Sequence, residues 1–150
     1  MEFVMTFYRR NLISVLLISL LALSACNISS NTTKASASLT SSSEVPPTKS
    51  TGSGEADITI DVKNDKLSWV ITYKNLSGVV TGAHFHAPAA MGANADVAIP
   101  IKGDLLSPIK GEATITSEQK TQLVDGKWYV NLHTAANPDG EIRGQVIVKR

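Results

Sequence analysis

Asp57-Ile-Thr-Ile-Asp-Val-Lys-Asn-Asp-Lys-Leu-Ser-Trp-Val-Ile-Thr-Tyr73 decides the fold class. Ile58, Ile60 and Val62 alternate with polar residues, then Leu67, Trp69, Ile71 and Tyr73 alternate after the polar turn Lys63–Lys66. A period of two places one set of side chains on one face of an extended strand, so the two runs predict an antiparallel hairpin. The pattern recurs outward. Asn75 to Gly78 turns the chain, and residues 79–87, 96–102, 109–115, 128–134 and 141–149 read as further strands. One stretch, Ser117 to Val124, reads as a helix, with Ser117 as N-cap and Gly126 as its stop. The fold class expected is therefore all-β, an antiparallel Greek-key sandwich or barrel of about seven to eight strands with one short helix.

The N-terminal residues carry a different signal. Arg9-Arg10 precede an apolar run from Asn11 to Ala25, too short for a membrane span and of the length of a secretory leader. The run ends Leu23-Ser24-Ala25-Cys26. Small residues ahead of a cysteine at this place resemble the bacterial lipobox, which implies diacylglycerol on the Cys26 thiol and cleavage before it. Cys26 is the only cysteine in the chain, so no disulfide within the chain is available. Two or three acyl chains anchor stably where one does not. The expectations are a lipoprotein signal peptide at 1–25, a flexible tether at 26–36 and a domain at 37–150, anchored outside the cytoplasmic membrane. Asn27 after the cysteine favours an outer-membrane or cell-surface location by analogy. Glu44-Val-Pro-Pro47 reads as a turn early in the domain.

Charge excludes one class of partner. Taking Arg9, Arg10 and Glu2 of the leader from 14 basic and 13 acidic residues leaves 12 of each. A balanced domain without a basic cluster does not point to nucleic acid. No catalytic triad, acid/base carboxylate pair or phosphate loop is evident.

Chemistry concentrates where the histidines are. His84 and His86 flank Phe85, so both imidazoles share one strand face and Phe85 takes the other. On a later strand Trp128, Val130 and Leu132 form an apolar face, with Tyr129, Asn131 and His133 opposite. If the polar faces adjoin, three imidazoles meet, a donor set suited to zinc or copper. The competing reading makes them hydrogen-bonding struts, His84 for the loop Met91–Asn94 and His133 for a turn at Asn137–Gly140. Glu141 and Arg143 share a face. They read either as an ion pair with each other or with sheet neighbours, or as Arg143 lining the histidine site to attract anions.

Three segments carry a resemblance: Leu39 to Pro47, Thr81-Gly-Ala-His-Phe-His-Ala-Pro88 with Gly92-Ala-Asn94, and Trp128 to Val146. Together they resemble the CHRD (chordin-type) domain over residues 37–150. Phe85 stands where the family commonly has isoleucine, and Ala95 where a second glycine is frequent. The resemblance implies a β-sandwich, a non-enzymatic binding or structural module, and a partner protein that it does not identify. A fainter likeness to Cu/Zn superoxide dismutase lies in His84, His86 and Arg143. It lacks the remaining histidines and the disulfide cysteines, so it implies shared architecture rather than dismutase activity.

Overall fold

The computed structural model describes residues 31–149. The leader, Cys26 and the first part of the tether lie outside the described residues. The elements are β1 (Thr32–Thr40), β2 (Ser53–Asp61), β3 (Lys66–Lys74), β4 (Val80–His86), β5 (Val97–Pro100), β6 (Ile109–Thr114), α1 (Ser117–Val124), β7 (Tyr129–Thr134), β8 (Asn137–Gln145) and β9 (Ile147–Val148). A short 3-10 turn, Ser41–Ser43, follows β1.

The β2–β3 hairpin forms as its alternation predicts. Ile58 pairs with Trp69 and Ile60 with Leu67, all four buried. Asp61 closes the turn by accepting the Lys63 and Asn64 amides at 3.1 and 3.0 Å, and Asp65 takes φ 56°. All strand pairs are antiparallel, in the order β5-β4-β7-β8-β1-β2-β3-β6, with β9 beside β1. The neighbours β3–β6, β4–β7 and β8–β1 are non-sequential, which makes the arrangement Greek-key rather than a meander. β3 and β4 stand far apart in this order. Yet the Trp69 and Phe85 rings meet edge to face at 5.2 Å, and Trp128 lies 6.1 Å beyond Phe85. The sheet therefore folds over a single core, with Leu39, Ile71, Val130, Leu132 and Ile142 filling it.

Sequence reasoning misplaced three boundaries. β1 begins at Thr32, not Ala37, because the polar run Thr32–Ser36 ladders with β2 up to Asp61 and buries Ala35 and Ala37. Residues 32–36, expected in the tether, thus belong to the sheet. The α1 N-cap is Thr116, not Ser117: its hydroxyl accepts the Gln119 amide while the Gln119 side chain accepts the Thr116 N–H. That reciprocal capping box satisfies two otherwise unpaired donors. Gly126 does end the helix, at φ 71°.

The third concerns Asn137–Gly140, which is strand and not turn. Thr134 pairs with Asn137, so Ala135-Ala136 make the hairpin loop. Pro138-Asp139-Gly140 then bulge out of the ladder opposite His133. Proline lacks the ladder N–H, and Gly140 at φ 129° supplies the conformation such a bulge needs.

Candidate metal centre

The β4–β7 ladder builds the site. His84 pairs with Asn131, His86 with Tyr129 and Gly82 with His133, while Phe85–Val130 and Ala83–Leu132 point into the core. The three imidazoles converge as the face argument predicts: one ring nitrogen from each lies within 4.8 Å of the others.

Each ring is aimed by a specific partner. His133 Nδ1 lies 2.8 Å from Pro138 O, and His86 Nδ1 lies 3.0 Å from Ala95 O. A carbonyl has no proton to give, so both Nδ1 atoms donate and the neutral rings keep a lone pair on Nε2. Those two Nε2 atoms each lie 3.0 Å from Asn131 Oδ1. His84 Nδ1 lies 3.0 Å from His133 Nε2. With neutral rings, His84 can donate one proton to His133 Nε2. The contacts of His86 Nε2 and His133 Nε2 with Asn131 Oδ1 then set acceptor against acceptor. A proton, a cation, or the Asn131 amide turned so that its NH2 faces the rings resolves the clash. Donors bonded to a tetrahedral ion at about 2.0 Å sit about 3.3 Å apart. His84 Nδ1 and His133 Nε2 stand at 3.0 Å, and the three-nitrogen set spans up to 4.8 Å, so His86 closes in when all three share an ion. Carbonyls fixing the outer nitrogens also set ligand tautomers in metal sites. The residues present therefore fit zinc or copper.

Electrostatics favour neutral rings at His84 and His133. Burial lowers the pKa of His84, helped by the neighbouring His133 and His86. Burial also lowers that of His133, against the pull of Pro138 O. The centre opens into a cleft of about 430 Å³ lined by Glu44, Val45, Asn94, Tyr129 and Asp139 among others.

Behind it, Tyr129 is sandwiched. The His86 ring stacks on it at 4.6 Å, and the Arg143 guanidinium lies 3.3 Å from its centroid. Arg143 donates to Asn94 Oδ1 and Ala93 O at 3.0 and 2.6 Å. The 93–95 loop is thus held by Arg143 and His86. His84, expected to hold that loop, lies against His133 instead, the two rings meeting over Gly82, which has no side chain to separate them. His133 does secure the Pro138 segment as expected.

Glu141 and Arg143 do not pair with each other. Glu141 is bound by hydroxyls, and the carboxylate facing Arg143 is Glu44. Glu44 sits in what was expected to be only a turn. It is 5% exposed, and its Oε1 has no hydrogen-bond partner among the described residues. Burial raises its pKa to about 7, against the lowering effects of Arg143, the Val45 amide and Asn131. A carboxyl whose folded pKa exceeds its unfolded value binds more protons when folded, so stability falls as pH rises from 4.5 through 7. Glu44→Gln should abolish that slope and raise stability at pH 8 by about 2–3 kcal/mol, read by urea unfolding at both ends of the range. An unchanged slope would remove Glu44 as its cause.

Gly140 lies against the same carboxyl: an added Cβ would come 2.4 Å from Glu44 Oε1. Gly140→Ala, strained also by φ 129°, should cost about 3 kcal/mol in thermal or urea unfolding. A loss below about 1 kcal/mol would mean that the bulge relaxes freely.

Comparison with known families agrees with this architecture: the family model for the CHRD domain matches residues 35–146, from within β1 to just past the end of β8. The chain belongs to the CHRD-domain family. No curated protein and no solved structure gives a significant match. Within the CHRD domain, the His-Phe-His strand, the 93–95 loop and the segment from Trp128 to Val146 assemble one site. Sequence reasoning found its three histidines and missed Asn131 as their common neighbour. The signal was present, since Asn131 lies two residues before His133 and so on its face.

Proposed function

We propose that this CHRD domain is a non-enzymatic binding module whose ligand is a transition-metal ion, zinc or copper, held by His84, His86 and His133. We place it outside the cytoplasmic membrane on a lipid anchor at Cys26. The observation that carries the metal reading is the convergence of His86 Nε2, His133 Nε2 and Asn131 Oδ1 at 3.0 Å with both Nδ1 atoms committed to carbonyls. A histidine serving only as a strut has no need of a second nitrogen aimed at a shared point. The cleft leaves room for a further ligand from solution, the arrangement of a centre that exchanges what it binds. Tagless protein, loaded with Zn²⁺ or Cu²⁺ and dialysed, should retain about one ion per chain. Less than about 0.1, unchanged in a triple alanine variant of the three histidines, rejects the metal.

A purely structural binding module is the second reading. It is favoured by the two carbonyl bonds, which tie down the 93–95 loop and the Pro138 bulge without any metal. On that reading His86→Ala loosens the loop and changes stability identically with and without added ion. Superoxide consumption by the copper-loaded protein tests the dismutase likeness separately.

A further inference from the structure

We infer that the end of the sandwich formed by the β2–β3 turn and α1 rests on the lipid bilayer, which holds the histidine cleft at the opposite end, facing away. This rests on the reading of Cys26 as the lipid-bearing residue. The chain enters the fold at Asn31, whose carbonyl accepts the Val62 amide at 2.9 Å. Five residue steps separate Cys26 from Asn31, which span at most about 18 Å. Beside that entry point, Val62 and Val124 are 49% and 55% exposed. They line one shallow cleft with Thr33, Ile60, Lys120 and Thr121. Lys63 is exposed there too, and Lys120 is paired with Asp65. Charge at this end is mixed, with Asp61 and Asp125 among the lysines, so apolar contact and the short tether, rather than attraction to anionic headgroups, set the orientation.

Register fixes where the cleft lies relative to this end. β1 runs from Thr32, opposite Asp61, to Thr40, opposite Arg143. Arg143 pairs with Asn131, and Asn131 with His84. The histidine level is therefore the Thr40 level, eight residue steps or about 26 Å along β1 from Thr32, the first residue after the entry point. Solutes reach the cleft from the aqueous side while the apolar pair Val62 and Val124 meets the acyl boundary.

Because Cys26 is the only cysteine and would carry the lipid, single labels can be placed cleanly. Val62→Cys, Val124→Cys and Val79→Cys sit on exposed positions, Val79 at the cleft end just ahead of β4. Each full-length variant, expressed with its leader, is labelled with an environment-sensitive fluorophore. It is then reconstituted into phosphatidylethanolamine–phosphatidylglycerol vesicles carrying nitroxide lipids. Quenching at 62 and 124 several-fold above that at 79 is the expected result. Equal quenching at all three, or more at 79, overturns the orientation. Incorporation of labelled palmitate, lost in Cys26→Ser, reads the anchor independently. Without it both the anchor and the orientation fail. With it, but without a difference between the ends, the orientation alone fails.

Discussion

Glu141→Gln should destabilise the domain by about 3 kcal/mol at pH 7, a fall in melting temperature of roughly 15 °C for a domain this size. Glu141 is fully enclosed. Burial by itself would raise its pKa, but hydrogen bonds outweigh it and bring the value to about 2. Ser50 Oγ and the Ser77 N–H donate to Oε1 at 2.5 and 2.7 Å, and Ser77 Oγ and Thr134 Oγ1 to Oε2 at 2.6 and 2.5 Å. Its backbone carbonyl accepts Thr48 Oγ1 at 2.9 Å. One carboxylate thus joins the β1–β2 connection, the β3–β4 turn and β7 to β8. A folded pKa depressed from 4.5 to about 2 contributes stability that is fully present above pH 4.5 and lost as pH falls toward 2. The wild type should therefore lose stability across that window, and Glu141→Gln should lose markedly less there while starting lower, the remainder coming from groups such as Asp61. Urea unfolding at pH 7, 4 and 2.5 checks it. A difference under about 1 kcal/mol at pH 7 would show that the hydroxyls find water instead.

The same residue illustrates what the sequence discloses. Alternation in Ile58-Thr-Ile60 and Leu67–Tyr73 depends only on neighbours in the chain, so the hairpin and its inward face were legible. So was the common face of His84 and His86, and that of Tyr129, Asn131 and His133. Partnership across the sheet was not. Glu141 and Arg143 stand two apart with opposite charge, which invites pairing. Their ladder positions instead give Glu141 to serine hydroxyls from two distant segments and the Thr134 hydroxyl of the neighbouring strand, and Arg143 to Tyr129 and the 93–95 loop. Glu44 read as a turn residue because Pro46 and Pro47 follow it. Its burial depends on Gly140 and Asn131, almost a hundred residues away. The Thr32–Ser36 stretch looked like tether because its polar composition says nothing about a β2 partner.

His86→Ala and His133→Ala should each weaken zinc or copper binding by more than about 100-fold, and His84→Ala by a comparable factor. Loss of an outer carbonyl partner alone typically costs 10–100-fold, so loss of a direct donor sets a higher floor. The equality across the three is the informative part. If the ion sat only on the close pair His84 Nδ1 and His133 Nε2, 3.0 Å apart, His86→Ala would leave affinity nearly intact. A shared centre requires His86 as well, since Asn131 Oδ1 bridges it to His133. Competition titration against a chelating dye gives the three affinities, and melting of the metal-free variants separates lost donors from lost folding. Acid should release the ion too, because protons compete for the same nitrogens. The lowered pKa values of His84 and His133 place that release below the ordinary histidine value of 6.5. In the metal-free protein the same depression opposes the Glu44 contribution over this range, so it shows by itself in the Glu44→Gln variant, whose stability should drop as pH falls below 6.5 because the unfolded chain then binds the additional protons. Bound zinc should deepen that drop, because stabilisation by the ion disappears over the same window. A metal-loaded Glu44→Gln variant whose melting temperature is independent of pH between 7 and 5 would place the ion elsewhere.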